Sequence, residues 1–220
     1  TFDYNFLKDY IKNIDVDNLD GAIVANISKG KINNEVVNKE FSQTIQSPIN
    51  FQSDITASLL GQNVEIKSEL TSSLADIFLD KTIIDLEKNK IDSDYKIDVK
   101  NLNKLEGIIG KKLNGDFLTS GNIFVENSLF LVSGNSNIFE SSTTYELKIK
   151  DSTLQDMNFK IQDAKLEKLF HMLNEPVSTT GNLDIQGVVK NANIDNLDGL
   201  IVSKVSQAKI INEVVNTVFK

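Results

Sequence analysis

Apolar and polar residues alternate with a period of two along much of this chain. Tyr145, Leu147 and Ile149 alternate with Thr144, Glu146, Lys148 and Lys150; Met157, Phe159 and Ile161 alternate with Asn158 and Lys160; Tyr95, Ile97 and Val99 alternate with Lys96 and Asp98. Successive side chains of an extended strand point to opposite faces, so each stretch predicts a strand with one dry face and one wet face. The pattern recurs more weakly at Val64 and Ile66, at Ile55, Ala57 and Leu59, at Leu183 and Ile185, and at Phe2, Tyr4 and Phe6. Gly, Asn, Asp and Ser separate these runs, and few helical stretches are long enough for parallel crossovers. The pattern therefore predicts a mainly β fold, an antiparallel meander of hairpins.

A long repeat overlies the alternation. The segment Lys12 to Gly21 recurs as Lys190 to Gly199, and the same offset carries Ile23-Val24, Lys31-Ile32 and Asn34-Glu35-Val36-Val37-Asn38 onto Ile201-Val202, Lys209-Ile210 and Asn212-Glu213-Val214-Val215-Asn216. The copies span about residues 12–41 and 190–219. A shorter unit of roughly sixty residues lies inside, at about 95–160 and 160–220, because Lys96-Ile97, Leu102, Lys104-Leu105 and Ile109 return as Lys160-Ile161, Leu166, Lys168-Leu169 and Leu173. Repeats of this kind stack so that each unit buries its apolar face against its neighbours. Residue 1 is not Met and the chain stops within a repeated element, so residues 1–220 are read as a segment of a larger array.

Three short amphipathic helices are expected: Asn33 to Gln46, Leu102 to Leu113, and Ala164 to Leu173, the last ended by Asn174 and Pro176. Their role is to cover an edge or open face of the sheet. Asp20-Gly21 and Asp198-Gly199 read as tight turns between apolar residues. The acidic series Asp15, Asp17, Asp20 lacks the spacing and distant bidentate Glu of a calcium loop, and Asn193 replaces Asp15 in the second copy, so turn chemistry accounts for it and no metal site is expected.

Composition narrows the chemistry. Net charge is −8 with lysines scattered among the acids, whereas a nucleic-acid surface needs a basic stripe to neutralise phosphates, so nucleic acid is excluded as a partner. Cys is absent, and the one His, His171, lies beside the apolar stripe of the third expected helix. That leaves no thiol nucleophile and no partner for a His-based zinc site or triad. No phosphate-binding glycine motif, signal peptide or run of about twenty apolar residues occurs. No acid, base and nucleophile recur together, so neither catalysis nor a cofactor is expected.

A Leu-x-x-Leu helix followed by a strand opening Thr-x-Gly-x-Leu/Ile, then a Leu-x-Gly strand, resembles the AsmA-like and TamB-like envelope proteins of Gram-negative bacteria. The residues are Leu166, Leu169 and Leu173, then Pro176, Gly181, Leu183, Ile185 and Gly187, then Leu197, Gly199, Ile201 and Val202, and similarly Leu102, Leu105, Ile109, Gly121, Ile123 and Val125. The resemblance covers most of residues 95–220 and, through the long repeat, 12–41; residues 42–94 fit only as generic strands. It implies an extended antiparallel sheet curled into a taco-shaped groove. It further implies a periplasmic location, within a protein anchored in the inner membrane through regions outside this segment, and phospholipid acyl chains carried between the two membranes.

The leading expectation is thus a non-catalytic lipid conduit whose groove is lined by Tyr95, Ile97, Val99, Tyr145, Leu147, Ile149, Met157, Phe159 and Ile161. The alternative is a structural or adhesive β-repeat protein of the envelope with a closed, packed core. The two differ in whether the apolar faces remain open or pack at interior density.

Overall fold

A computed structural model describes residues 20–151, 153–191 and 198–218. Eleven strands form one antiparallel sheet in strict sequence order. They are β1 (Asp20–Lys31), β2 (Asn50–Leu60), β3 (Asn63–Ser72), β4 (Asp76–Asp85), β5 (Lys90–Val99), β6 (Phe117–Glu126), β7 (Leu129–Ser136), β8 (Ser142–Lys150), β9 (Thr153–Lys165), β10 (Thr179–Asn191) and β11 (Asp198–Ile210). No pairing joins β1 to β11, so the sheet is open, not a closed barrel. Ten interstrand spacings of about 4.8 Å give it a span of about 48 Å.

Because every neighbour is antiparallel, the connections sort themselves between two ends. At one end tight turns join β2 to β3, β4 to β5 and β6 to β7, the last through the two-residue Asn127-Ser128 loop between Glu126 and Leu129. Both its residues have positive φ (47° and 64°), matching the twist of the strands that flank it. Odd-numbered strands lead to even ones at the other end, and the helices gather there: α1 (Asn34–Phe41), a 3-10 turn (Leu102–Leu105) running into α2 (Glu106–Ile109), and α3 (Leu166–Met172). A further helix, α4 (Asn212–Val218), follows β11.

The helices are shorter than the periodicity predicts, for local reasons. Asn33 caps α1 by accepting the Glu35 amide at 3.1 Å. The helix stops at Phe41 because Ser42 turns left-handed and Asn38 grips the returning chain through both amide atoms, Oδ1 accepting from Ile45 N and Nδ2 donating to Ile45 O, each at 2.9 Å. Residues 43–46 are thereby held out of the helix. The second helix ends at Gly110, whose φ of 71° is the left-handed cap that favours glycine. Ala164 lies in β9, fully buried opposite Leu183, so the third helix starts at Leu166.

The long-repeat copies have the same form, a strand then a helix, in β1 with α1 and in β11 with α4. Residues 12–19, 192–197 and 219 of those copies lie outside the described residues, as do Phe2, Tyr4, Phe6, Asp15 and Asp17. The expected Asp-Gly turns are not turns: Asp20-Gly21 and Asp198-Gly199 open β1 and β11, with Gly21 paired to Leu59 and Gly199 to Val189. Glycine serves close approach in the second copy, where a Cβ on Gly199 would stand 2.6 Å from the Val188 carbonyl oxygen.

Candidate functional site

Residues directly opposite one another in an antiparallel ladder point to the same face, so the register sorts the whole sheet. One row runs Ala25, Ile55, Ser68, Leu79, Tyr95, Gly121, Gly134, Tyr145, Phe159, Gly187, Ile201. The next row on that face includes Val132, Leu147, Met157 and Val189. In the regular stretches of the ladder this face carries apolar residues, glycines and small hydroxyls, and no charged side chain. The opposite face carries Lys96, Asp94, Glu146, Lys148, Asn158 and Lys160. Its aromatic residues are shielded by lysines, with the Lys90 ammonium 4.9 Å from the Phe124 ring centre and that of Lys96 5.8 Å from Phe78.

All nine groove candidates lie on the apolar face, but in three settings. Val99 and Ile97 belong to a cluster that Leu102 and Met172 close over the helical end. Ile161 belongs to a second cluster with Ala164, Leu166 and Leu183. Leu147, Ile149, Met157 and Phe159 are half-buried, shielded chiefly by their neighbours on the same face.

Tyr95 and Tyr145 form the third setting. Gly121 and Gly134 stand opposite one another between them, and with no side chain on β6 or β7 the two tyrosines reach across until their hydroxyls meet at 2.5 Å. The Thr119 hydroxyl bonds to that of Tyr145 and donates to the Asn135 carbonyl at 2.9 Å. The glycines are required: a Cβ on Gly134 would fall 2.6 and 2.7 Å from the two tyrosine oxygens, and one on Gly121 would fall 1.9 Å from the Ser133 carbonyl oxygen. Phe159 covers Gly187 and Phe51 covers Gly30 in the same way. The face is therefore creased at its glycines and paved there by aromatic rings.

Burial, first, and then the hydrogen bond to Tyr145 push the Tyr95 phenol above its ordinary value of 10.0. Tyr95 thus favours the folded state while neutral, and that contribution is lost as pH rises above 10 towards the folded value. Tyr95→Phe is expected to cost about 1 kcal/mol near neutral pH. The gap between it and the parent chain should narrow as pH climbs past 10, measured by urea unfolding at each pH; a gap independent of pH would show that the phenol is not the group responsible.

A hollow of about 970 Å³ lies on the other side of the sheet. Its floor is the backbone of the tyrosine-glycine row, and its walls are the polar-face residues to either side, among them Ser120, Asn122, Ser133, Asn135, Glu146 and Lys160. Amides, hydroxyls and charges line its middle, and Val188, Leu200 and Val202 give it an apolar side at β10 and β11. Among the described residues no three His, Cys, Asp or Glu side chains gather as metal ligands, and His171 is exposed on α3.

Sequence alternation located residues of the apolar face on β2, β3, β5, β8, β9 and β10 and missed the hydroxyl belt of Thr82, Ser93, Thr119 and Thr143, all of them buried. Thr82 and Ser93 bond to each other at 2.5 Å, and Ser141 bonds to Thr143 at 2.7 Å, so these residues are dry yet satisfied. Their signal was small residues in phase with flanking apolar ones, as at Thr119, Gly121, Ile123. No family model, curated protein or solved structure matches the chain.

Proposed function

We propose that this chain is a non-catalytic segment of a lipid conduit, in which phospholipid acyl chains lie against the apolar face. The observation that supports the reading most is an apolar face continuing over eleven strands, capped by helices at one end and otherwise facing no second layer among the described residues. Such a face needs an apolar cover. Hydrocarbon suits it because it requires no directional bonds, and an uncharged wall lets a chain slide without breaking any. The residues assigned to acyl chains are Leu147, Ile149, Met157 and Phe159, beyond the packed helical end. The setting proposed is the periplasm, with attachment to the envelope membranes through regions outside this segment; no helix among the described residues is long and apolar enough to cross a membrane.

The structural or adhesive reading has one observation in its favour, the tyrosine bridge and helical clusters that fill the face between Val99 and Leu183. Native mass spectrometry of the chain, after incubation with phosphatidylglycerol vesicles and re-isolation, separates the two. Bound phospholipid at a defined stoichiometry is expected. A lipid-free chain whose Leu147 and Phe159 are shielded from solvent by protein would favour the packed alternative.

A further inference from the structure

We infer that the unpaired edge of β11 is an acceptor for a strand of the β2 kind, supplied by another copy of this repeat. The repeat and the ladder point to this occupant whatever lies against the apolar face.

Every strand in a sheet has two edges. β1 pairs through one of its edges with β2, and β11 pairs through its opposite edge with β10. Being both odd-numbered in an antiparallel order, β1 and β11 run the same way. They also turn corresponding residues to the apolar face, Gly21 with Gly199, Ile23 with Ile201, Ile27 with Val205. The edge that β11 leaves unpaired among the described residues is therefore the counterpart of the edge on which β1 holds β2. The irregularities agree as well: β1 breaks register between Ile27 and Gly30, and β11 between Ser206 and Lys209, the corresponding stretch.

The side chains fit the same occupant. On β1, Ile23 faces Ala57, Ala25 faces Ile55, and Asn26 donates to the Asp54 carboxylate. On β11 the corresponding residues are Ile201, Ser203 and Lys204, so an incoming β2 strand would lay its apolar positions on the same face and its Asp54 beside a cation. An edge that must stay free is normally blunted by charge or proline. Here Leu200 is 67% exposed and Ile201 62%, with Val202 and Val205 also open; the strand holds no proline, and its charges are Asp198 and Lys209 near its ends and Lys204, which would meet Asp54.

The test uses the full chain and a synthetic peptide of residues 50–72, which carries β2, its turn and β3. Hydrogen exchange should show new protection over residues 198–210 on adding the peptide. A peptide with the β2 alternation displaced by one residue should bind at least about tenfold more weakly, since a one-residue slip sends its apolar set to the wrong face. Ile201→Lys with Val205→Lys, both at exposed positions, should weaken the parent peptide by a similar factor while leaving the unfolding midpoint in place. The inference is overturned by protection away from β11 or none at all, by equal binding of the displaced peptide, or by concentration-dependent protection of β11 in the peptide-free chain, which would make the intact chain itself the occupant.

Discussion

Gly121→Ala is expected to be among the most destabilising single-methyl additions in this sheet, costing about 3 kcal/mol, the upper end of the range for overpacking. The added Cβ would sit 1.9 Å from the Ser133 carbonyl oxygen and 2.6 Å from the Gly134 Cα, both backbone atoms of the neighbouring strand. Relief requires β6 and β7 to separate where the tyrosines depend on their closeness. Gly187→Ala should cost less, because the atoms it meets at 2.5 Å belong to the Phe159 ring, which can swing aside. Gly21→Ala meets nothing within 4 Å and should leave stability within about 0.5 kcal/mol. Urea midpoints of the three variants give the order directly. Equal effects at Gly121 and Gly21 would mean that the strands do not close up at the glycine pair.

The sequence was most legible where one face is dry and the other charged. Tyr145 to Lys150 and Met157 to Ile161 alternate without interruption, and β8 and β9 follow. It was least legible in β4, where Ile77, Phe78 and Leu79 are consecutive apolar residues. There a Lys shields the odd-facing ring, Lys96 over Phe78, a compensation supplied by the neighbouring strand and invisible to a local pattern. The Asp-Gly pairs misled for a related reason. In a local reading they mark a hairpin, but glycine also serves where backbones crowd, as at Gly199, or stands uncrowded at the start of a strand, as at Gly21, and only the register distinguishes these uses from a turn. The nine candidate residues shared a face because alternation fixes parity. Which of them lie under helices depended on contacts such as Val99 with Met172, distant in sequence.

Leu147→Asp and Ile161→Asp should part company, and the difference bears directly on what the apolar face is for. Ile161 packs against Ala164, Leu166 and Leu183, so a carboxylate there is buried without a partner and the variant should unfold at markedly lower urea. Leu147 lies half-buried between Val132 and Met157, outside both helical clusters. A carboxylate at that site keeps its water while the face is empty, so the fold should survive. Once acyl chains cover it, the charge is stranded in hydrocarbon at about 2.5–3.5 kcal/mol, the cost of a charge at a bilayer centre, and lipid occupancy should fall roughly a hundredfold. Lys148 projects from the wet face opposite Asp156, so Lys148→Glu should leave occupancy unchanged. Photocrosslinkers placed at the same two positions in cells should give phospholipid adducts at 147 and none at 148. A folded Leu147→Asp chain that still carries lipid, or adducts of equal yield at both positions, would place the acyl chains elsewhere, because no hydrocarbon layer against this face could spare one parity of a strand and tolerate a carboxylate on the other.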